Sequence, residues 1–580
     1  MSLAQKFGIY SQSGAPYLRY SPWSNSFSGS QGTRVFLQAV LYSAIFLGTS
    51  HLISQRSSAS PDTEDLNLSY ASPEELECAI EQLRQIFPRA QAVVTDPDVL
   101  KTYGSSENSY HPALPHSVIV RPQSTADVVQ IVNIARNFRV PITPYSGATS
   151  LEGHFSGYPT GSICVDLSAM DKILAINVDD SDLICQAGTR WEDINQTLKE
   201  RGIPLFFPLD PGPGATIGGM VGTGCSGTNA VRYGTARAEW FLNLTVVLPN
   251  GEIIKTKRRA RKSASGFDTT KLFVGAEGTL GIVTEATLRL APVLPTRVAM
   301  AQFPNVQKAV SAVQDKIGLI RNQHPLSWIL AALGAKPIDY VRVLVSDEPN
   351  LILNSPYGPH IQCVELLDDN MMATINSAGL VDKPYPVKDT LFFKIQGDDQ
   401  SIKQASKVVE KIVNNHGSSQ FIFAKTEQEA EELWESRKYA LMSSIGAHPG
   451  KRCWTTDVCV PVSRLPELVY ETKKDLNNSK LINTIVGHVG DGNFHSFILF
   501  DENTEFDATS GAVHRLVHRA IALDGTCTGE HGVGLGKKEY LEEELGINTV
   551  NLMKTIKKAI DPLNIMNPGK LYPNDDRSKK

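Results

Sequence analysis

DPGPGATIGGMVGTGCSGTNAVRYGT, residues 210–235, carries eight glycines and almost no large apolar side chain. Glycine at this density packs nothing and costs backbone entropy. It is placed where the main chain must lie against a ligand, above all an anionic one cradled by N–H groups. A flexible linker would carry more Ser and charge. Gly222-Thr-Gly224-Cys-Ser-Gly227 matches GxGxxG, but that fingerprint needs a strand just before and an amphipathic helix just after. Here more glycine precedes it, and residues 228–234 follow without a helical period. A Rossmann-type site is therefore rejected, and the ligand is expected to be held by several loops.

Working outward, a second loop runs from Pro144 to His154 (PYSGATSLEGH). It follows a helical run, 126–138, and a short apolar segment, 140–142. A third element, Glu277 to Glu285 (EGTLGIVTE), reads as a turn entering a strand. These three motifs, in this order, resemble the vanillyl-alcohol-oxidase-type flavoproteins with the pyrophosphate-loop FAD domain, over roughly residues 112–292.

The resemblance implies an α+β fold. A two-subdomain pyrophosphate-loop FAD-binding domain would cover 73–293 and a ferredoxin-like α+β cap domain 294–525. C-terminal helices at 526–580 would return to the flavin. It implies FAD contacts from Ser146, Gly147, Ala148, Thr149, Ser150, Gly153 and His154 in the first loop. In the glycine stretch it implies Pro211, Gly214, Thr216, Gly218, Gly219, Gly222, Thr223, Gly227 and Gly234. Glu277, Gly278, Gly281, Ile282 and Val283 would follow from the third element, with Asn567 near the C-terminus. Relatives with covalent flavin carry a His about where Thr149 stands, and His154 lies five residues later, so non-covalent FAD is expected.

Periodicity fills in the rest. Helices are expected at 73–87, 126–138, 189–201 (capped by Thr189), 306–320, 401–415, 427–444 and 549–560. Residues 173–185 alternate as strand. Asn250-Gly251 between two strand-like runs signals a type I′ hairpin. The pattern after Leu294 suits an open-faced sheet with helices on one side. The run KTKRRARK at 255–262 is either a solvated loop or a docking patch.

At 580 residues the chain needs two or more cores. A net charge of −5 points to neither nucleic acid nor an anionic surface as partner. The eight cysteines are scattered without CxxC, against a disulfide framework or zinc ribbon. Residues 1–61 hold no Asp or Glu and are Ser-rich, as in a mitochondrial transit segment. Within them, 35–55 is uncharged and mostly apolar, about the ~20 residues that span a bilayer. A targeting segment with a single membrane anchor is expected at 1–56, and a polar tether at 57–72. A long secretory h-region is the alternative.

Two late motifs carry chemistry. GHVGDGNFH (487–495) holds His488 and His495. Seven residues apart on a straight strand they would face opposite sides; Gly490-Asp491-Gly492 lets the chain turn so that both converge. GTCTGEHGVG (525–534) offers Glu530 and His531 from a glycine-rich loop. Two His and a carboxylate make a divalent-metal set with open positions.

With LWESR (433–437) and CWTTDVCVP (453–461), these motifs resemble the D-2-hydroxyacid dehydrogenase branch of the flavoprotein group, and within it the cytochrome-linked D-lactate dehydrogenases of mitochondria. The resemblance implies His488, His495 and Glu530 as ligands of zinc or manganese. It implies His531 as the base, Arg437 on the substrate carboxylate, and hydride transfer from C2 to the flavin. It further implies D-lactate as substrate, cytochrome c as acceptor and the mitochondrial inner membrane as location. Close D-2-hydroxyglutarate dehydrogenases carry a Lys about where Thr455 stands, so a monocarboxylate is favoured. D-2-hydroxyglutarate or glycolate oxidation, and a flavin-dependent transferase of the alkyl-dihydroxyacetone-phosphate synthase type, stay as alternatives.

Overall fold

The computed structural model describes residues 69–106, 108–321, 361–378 and 384–574. The targeting segment, its anchor at 35–55 and the tether as far as 68 lie outside the described residues. Among the described residues no helix is long and apolar enough to cross a membrane.

The first half is built on two sheets. One has four strands in the order Val93–Val94, Val118–Val120, Ile163–Asp166, Ile142–Tyr145, the last three parallel. Val118–Val120 and Ile163–Asp166 are buried throughout, as parallel strands covered on both faces must be. Helix Thr125–Phe138 makes the crossover. The Ser124 hydroxyl caps it by accepting from Asp127 N, and Val128, Ile131, Val132 and Ala135 form its buried face. Helix Pro73–Ile86 opens on a reciprocal capping box between Ser72 and Glu75. The second sheet is antiparallel, in the order Ile173–Asn177, Asp182–Gln186, Ile282–Arg289, Phe241–Val247, Ile253–Lys255.

Several local expectations are corrected. The run 173–185 is two strands parted by a turn in which Ser181 takes φ 52°. Helix Trp191–Glu200 starts after Arg190 with no side-chain cap, so Thr189 does not cap it. The Asn250-Gly251 turn is not type I′, because only Gly251 has positive φ (85°). The glycine stretch contains a helix, Ile217–Thr223, that the sequence concealed. Its apolar residues Ile217, Met220 and Val221 fall at i, i+3, i+4 and turn into the core. This leaves Gly219 and Gly222 on the opposite side, while Gly218 at the flank packs against Ala187.

The second half is an antiparallel sheet. Its path runs Gln420–Phe423, Thr296–Phe303, Asp389–Gln396, Ile361–Leu367, Ile482–Gly487, Asn493–Phe500, Arg452–Thr455, with Val458–Cys459 also paired to the sixth. Helices cover both of its faces, not one. Helices Val306–Arg321 and Asp399–Asn415 pack on strand Asp389–Gln396, and helices Leu465–Asn478 and Phe506–Ala522 on strands Ile482–Gly487 and Asn493–Phe500, all within one apolar core. Helix Asp369–Ser377 and residues of the 427–446 region pack on Phe392, Val486 and Phe497. Both pleat faces of these strands are apolar, so neither can be left to water. The long helix expected at 427–444 is two, Glu427–Lys438 and Ala440–Gly446, parted at Tyr439.

Candidate active site

A cavity of about 990 Å³ opens between the two halves. One wall is the loop 144–155, the helix Ile217–Thr223 and the turn at Glu277; the other is the second face of the cap sheet, with His488, His495, Glu530 and His531.

Strands Ile482–Gly487 and Asn493–Phe500 pair so that Val486 sits opposite His495, and the 488–492 turn swings His488 back beside it. Gly492, at φ 93°, makes this possible: a Cβ there would fall 2.0 Å from Val460 O. Glu530 Oε1 lies 3.0 Å from His488 Nε2 and 3.1 Å from His495 Nε2. His531 stacks on His495 with ring centroids 4.9 Å apart. The expected convergence of the imidazoles on one carboxylate is thus present in the geometry.

The loop 525–534 is held by Asp457. Its Oδ2 accepts from the backbone N–H of Glu530 and of His531, each at 2.8 Å, and from the Thr528 hydroxyl at 2.9 Å. Glu277 holds the far end, accepting from Val533 N (2.6 Å) and Gly534 N (2.8 Å). Its carboxylate therefore holds the loop 525–534, although the residue lines the cavity. The Ser226 hydroxyl, from the glycine stretch, donates to Glu530 Oε2 at 2.8 Å.

Burial opposes charge on His488, but Glu365 and then Glu530 outweigh it and raise its pKa well above the ordinary range. Burial likewise opposes Glu530, yet His488 and His495 hold it well below the usual carboxylate range. Burial pushes His531 down to about 4, and its Nδ1 is buried without a partner. A neutral imidazole with a free lone pair can accept a proton.

Most of the residues expected around the cofactor line this cavity: Ser146, Gly147, Ala148, Thr149, Ser150, His154, Pro211, Thr216, Gly218, Gly219, Gly222, Thr223, Gly227, Glu277, Gly278, Gly281, Val283 and Asn567. Four do not. Gly153 packs against Leu535 and His111. Gly214 donates its N–H to Glu192, and Gly234 turns the chain at φ 74°. Ile282 is a core residue, 1% exposed, on the back of its strand. Asn567 acts as a latch, donating to His154 O and Glu277 O. Arg437 lines the cavity, but its Nε is committed to Glu365 at 2.8 Å.

Sequence reasoning missed Glu365 altogether and gave Asp457 no role. The signal for Glu365 was a lone carboxylate inside the apolar strand IQCVELL, where a buried charge demands partners.

The chain matches two family models, an FAD binding domain over residues 116–257 and the FAD linked oxidases C-terminal domain over 357–571. It is 42% identical to the mitochondrial D-lactate dehydrogenase (cytochrome) of Arabidopsis thaliana, over 86% of this chain and 80% of that one. The corresponding D-lactate dehydrogenase (cytochrome) 1 of Saccharomyces cerevisiae is also 42% identical, over 87% of this chain and 81% of that one. Among solved structures, 4-ethylphenol oxidase from Gulosibacter chungangensis shares the fold with a TM-score of 0.67 at 16% identity, covering 87% of this chain and 99% of that one. The chain belongs to the D-lactate dehydrogenase (cytochrome) family of FAD-linked oxidases.

As a member of that family it is an FAD-dependent oxidoreductase, and the cavity fits the cofactor. At Gly212 no protein atom lies within 4 Å of where a Cβ would stand, and at Gly222 the nearest is 3.9 Å away. Side chains at these positions would occupy the cavity itself. Ser146 Oγ and Thr216 Oγ1, both lining it, are buried without a partner and await a polar ligand. The histidine cluster suits a divalent ion by the same kind of test. His488 Nδ1 meets Glu365 and His495 Nδ1 meets Thr456 O, which turns both Nε2 atoms toward Glu530. One ligand atom from each of the three residues lies within 4.8 Å of the others.

Proposed function

We propose that this enzyme oxidises D-lactate to pyruvate and passes the electrons to cytochrome c, at the mitochondrial inner membrane to which residues 35–55 anchor it. The observation that carries the reaction is the cluster of His488, His495 and Glu530 at the cavity end, with a neutral His531 stacked beside it. The acid-free leader and the names of the 42%-identical relatives support acceptor and location.

The cavity would hold FAD without a covalent link, and the flavin would supply the acceptor for the hydride that leaves C2 of the substrate. His488, His495 and Glu530 would hold a divalent ion, zinc or manganese, which would supply Lewis acidity toward the substrate oxygens. His531 accepts the hydroxyl proton, so that one proton and one hydride leave together and the ketone remains. Arg437 pairs with the substrate carboxylate, its guanidinium held in place by Glu365. Thr455, buried in the cavity wall, offers no cation to a second carboxylate.

One observation favours a second reading, D-2-hydroxyglutarate oxidation. Lys394 also lines the cavity, although its ammonium sits 4.3 Å over the Trp434 ring. Comparing kcat/KM for D-lactate, D-2-hydroxyglutarate and glycolate, each with and without chelator, decides between them. D-lactate should give the highest value and chelation should abolish it. A higher value with D-2-hydroxyglutarate would overturn the substrate, and full activity in metal-free protein would overturn the mechanism.

A further inference from the structure

We infer that Glu365 is a positioning residue that sets both ends of the substrate site at once, fixing His488 for the metal and Arg437 for the substrate carboxylate. The inference rests on the roles just proposed for those two residues. Glu365 lies within the strand Ile361–Leu367, is 0% exposed, and is flanked in the strand by Val364 and Leu366, which belong to the apolar core. A carboxylate at such a place is costly unless its oxygens are taken up by donors. Each oxygen has its own partner. Oε1 accepts from His488 Nδ1 at 2.9 Å, and Oε2 accepts from Arg437 Nε at 2.8 Å.

The first bond determines which nitrogen of His488 is free. With Nδ1–H held by Glu365, Nε2 is the nitrogen that faces Glu530, 3.0 Å away, and the one whose proton an ion would replace. The second bond fixes the plane of the Arg437 guanidinium against the cavity wall. His488 comes from the cap sheet and Arg437 from helix Glu427–Lys438, and one rigid strand lies between them. The metal and the carboxylate of one small substrate must be presented at a set separation. A single carboxylate bonded to both holders sets it.

Glu365→Gln separates this role from simple neutralisation of charge. The amide keeps the size but has one acceptor oxygen and one NH2 donor, so it can satisfy only one of the two N–H groups. Flavin content and thermal midpoint report folding. The zinc or manganese affinity of the flavin-loaded protein, by chelator competition, and the KM for D-lactate at saturating metal report positioning. We expect metal affinity to fall about 10–100-fold and KM to rise about tenfold or more, with flavin retained. Should Glu365→Gln not fold, Glu365→Asp keeps the charge while withdrawing it by one methylene, and the same two shifts are expected. A folded variant with metal affinity within about twofold of wild type and unchanged KM overturns the inference. Wild-type protein that binds no divalent ion in the same titration overturns the metal reading itself, and this inference with it.

Discussion

The two walls of the cavity are built on opposite plans. On the cofactor side, Gly212 and Gly222 leave open space where side chains would be, and the buried hydroxyls of Ser146 and Thr216, both lining the cavity, have no protein partner. On the cap side, Glu365, Arg437, His488, His495, Glu530 and Asp457 are all buried or nearly so and bonded to one another. The first wall binds by what has been removed from the backbone. The second acts through charges that are tolerable there only because each has partners. Damage to the first should therefore cost cofactor, and damage to the second should cost chemistry with cofactor retained.

The sharpest test of that division is His495→Ala. It removes one nitrogen from the cluster and the ring on which His531 stacks. Turnover should fall by about 10³-fold or more and bound metal should disappear, while the flavin absorbance of the purified protein stays. Loss of flavin together with metal would show that the two walls are not independent.

His531→Ala should fall next in size, with kcat lower by about 10²–10⁴-fold. It contributes no atom to the set of His488, His495 and Glu530, so elemental analysis should find the metal at its wild-type content. Metal lost from this variant would favour the other grouping the geometry offers, Asp457 with His495 and His531.

Gly222→Val attacks the opposite wall. A Cβ there would meet no protein atom outside its own helix closer than 3.9 Å, so the fold should persist, and the added methyl groups should take up cavity space expected to hold the cofactor. Overpacking of about 1–3 kcal/mol corresponds to roughly 5–150-fold weaker FAD binding. Flavin released on dilution and restored by excess FAD would show it. Turnover of the fully loaded variant should stay close to wild type.

The same contrast explains what the sequence disclosed. A wall made by absence is legible, because glycine density is local and has few other uses; residues 210–235 gave the cofactor side and, with two more motifs, the family. The histidines were legible for a similar reason, since the glycines at 490 and 492 announce a turn between them. Glu365 was not. Its meaning depends on Arg437 and His488, 72 and 123 residues away, and no local pattern records that contact. The helix Ile217–Thr223 was hidden because three apolar residues among glycines leave little periodicity to see. The two-faced cap sheet was misread as one-faced because most of the helices recognised beforehand pack on a single side, with Asp369–Ser377 unrecognised on the other.

Lys570 is where the division itself can be strained, being a cation buried on the cofactor side. It is 2% exposed and donates to Ser156 O at 2.6 Å, just beyond the first loop. Burial, with Lys538 adding to it, pushes its pKa down to about 7, against about 10.4 in an unfolded chain. Between those values the unfolded chain holds a proton that the folded protein has released. Unfolding therefore takes up a proton, and stability rises with pH across that window. Below about pH 7 both states carry the charge and the whole penalty of burying it stands; above about pH 10.4 both are neutral and it is gone. Lys570→Met has no such proton. Relative to that variant, the wild-type protein should gain stability from about pH 7 to about pH 9, by at most ~1.4 kcal/mol per pH unit, read as a widening or narrowing of the gap in thermal midpoint. A gap that does not move with pH would mean that Lys570 keeps its charge in the fold. The cofactor wall would then be sustaining a buried cation in addition to the buried Glu277 carboxylate, and the contrast between the two walls would have to be redrawn at this residue.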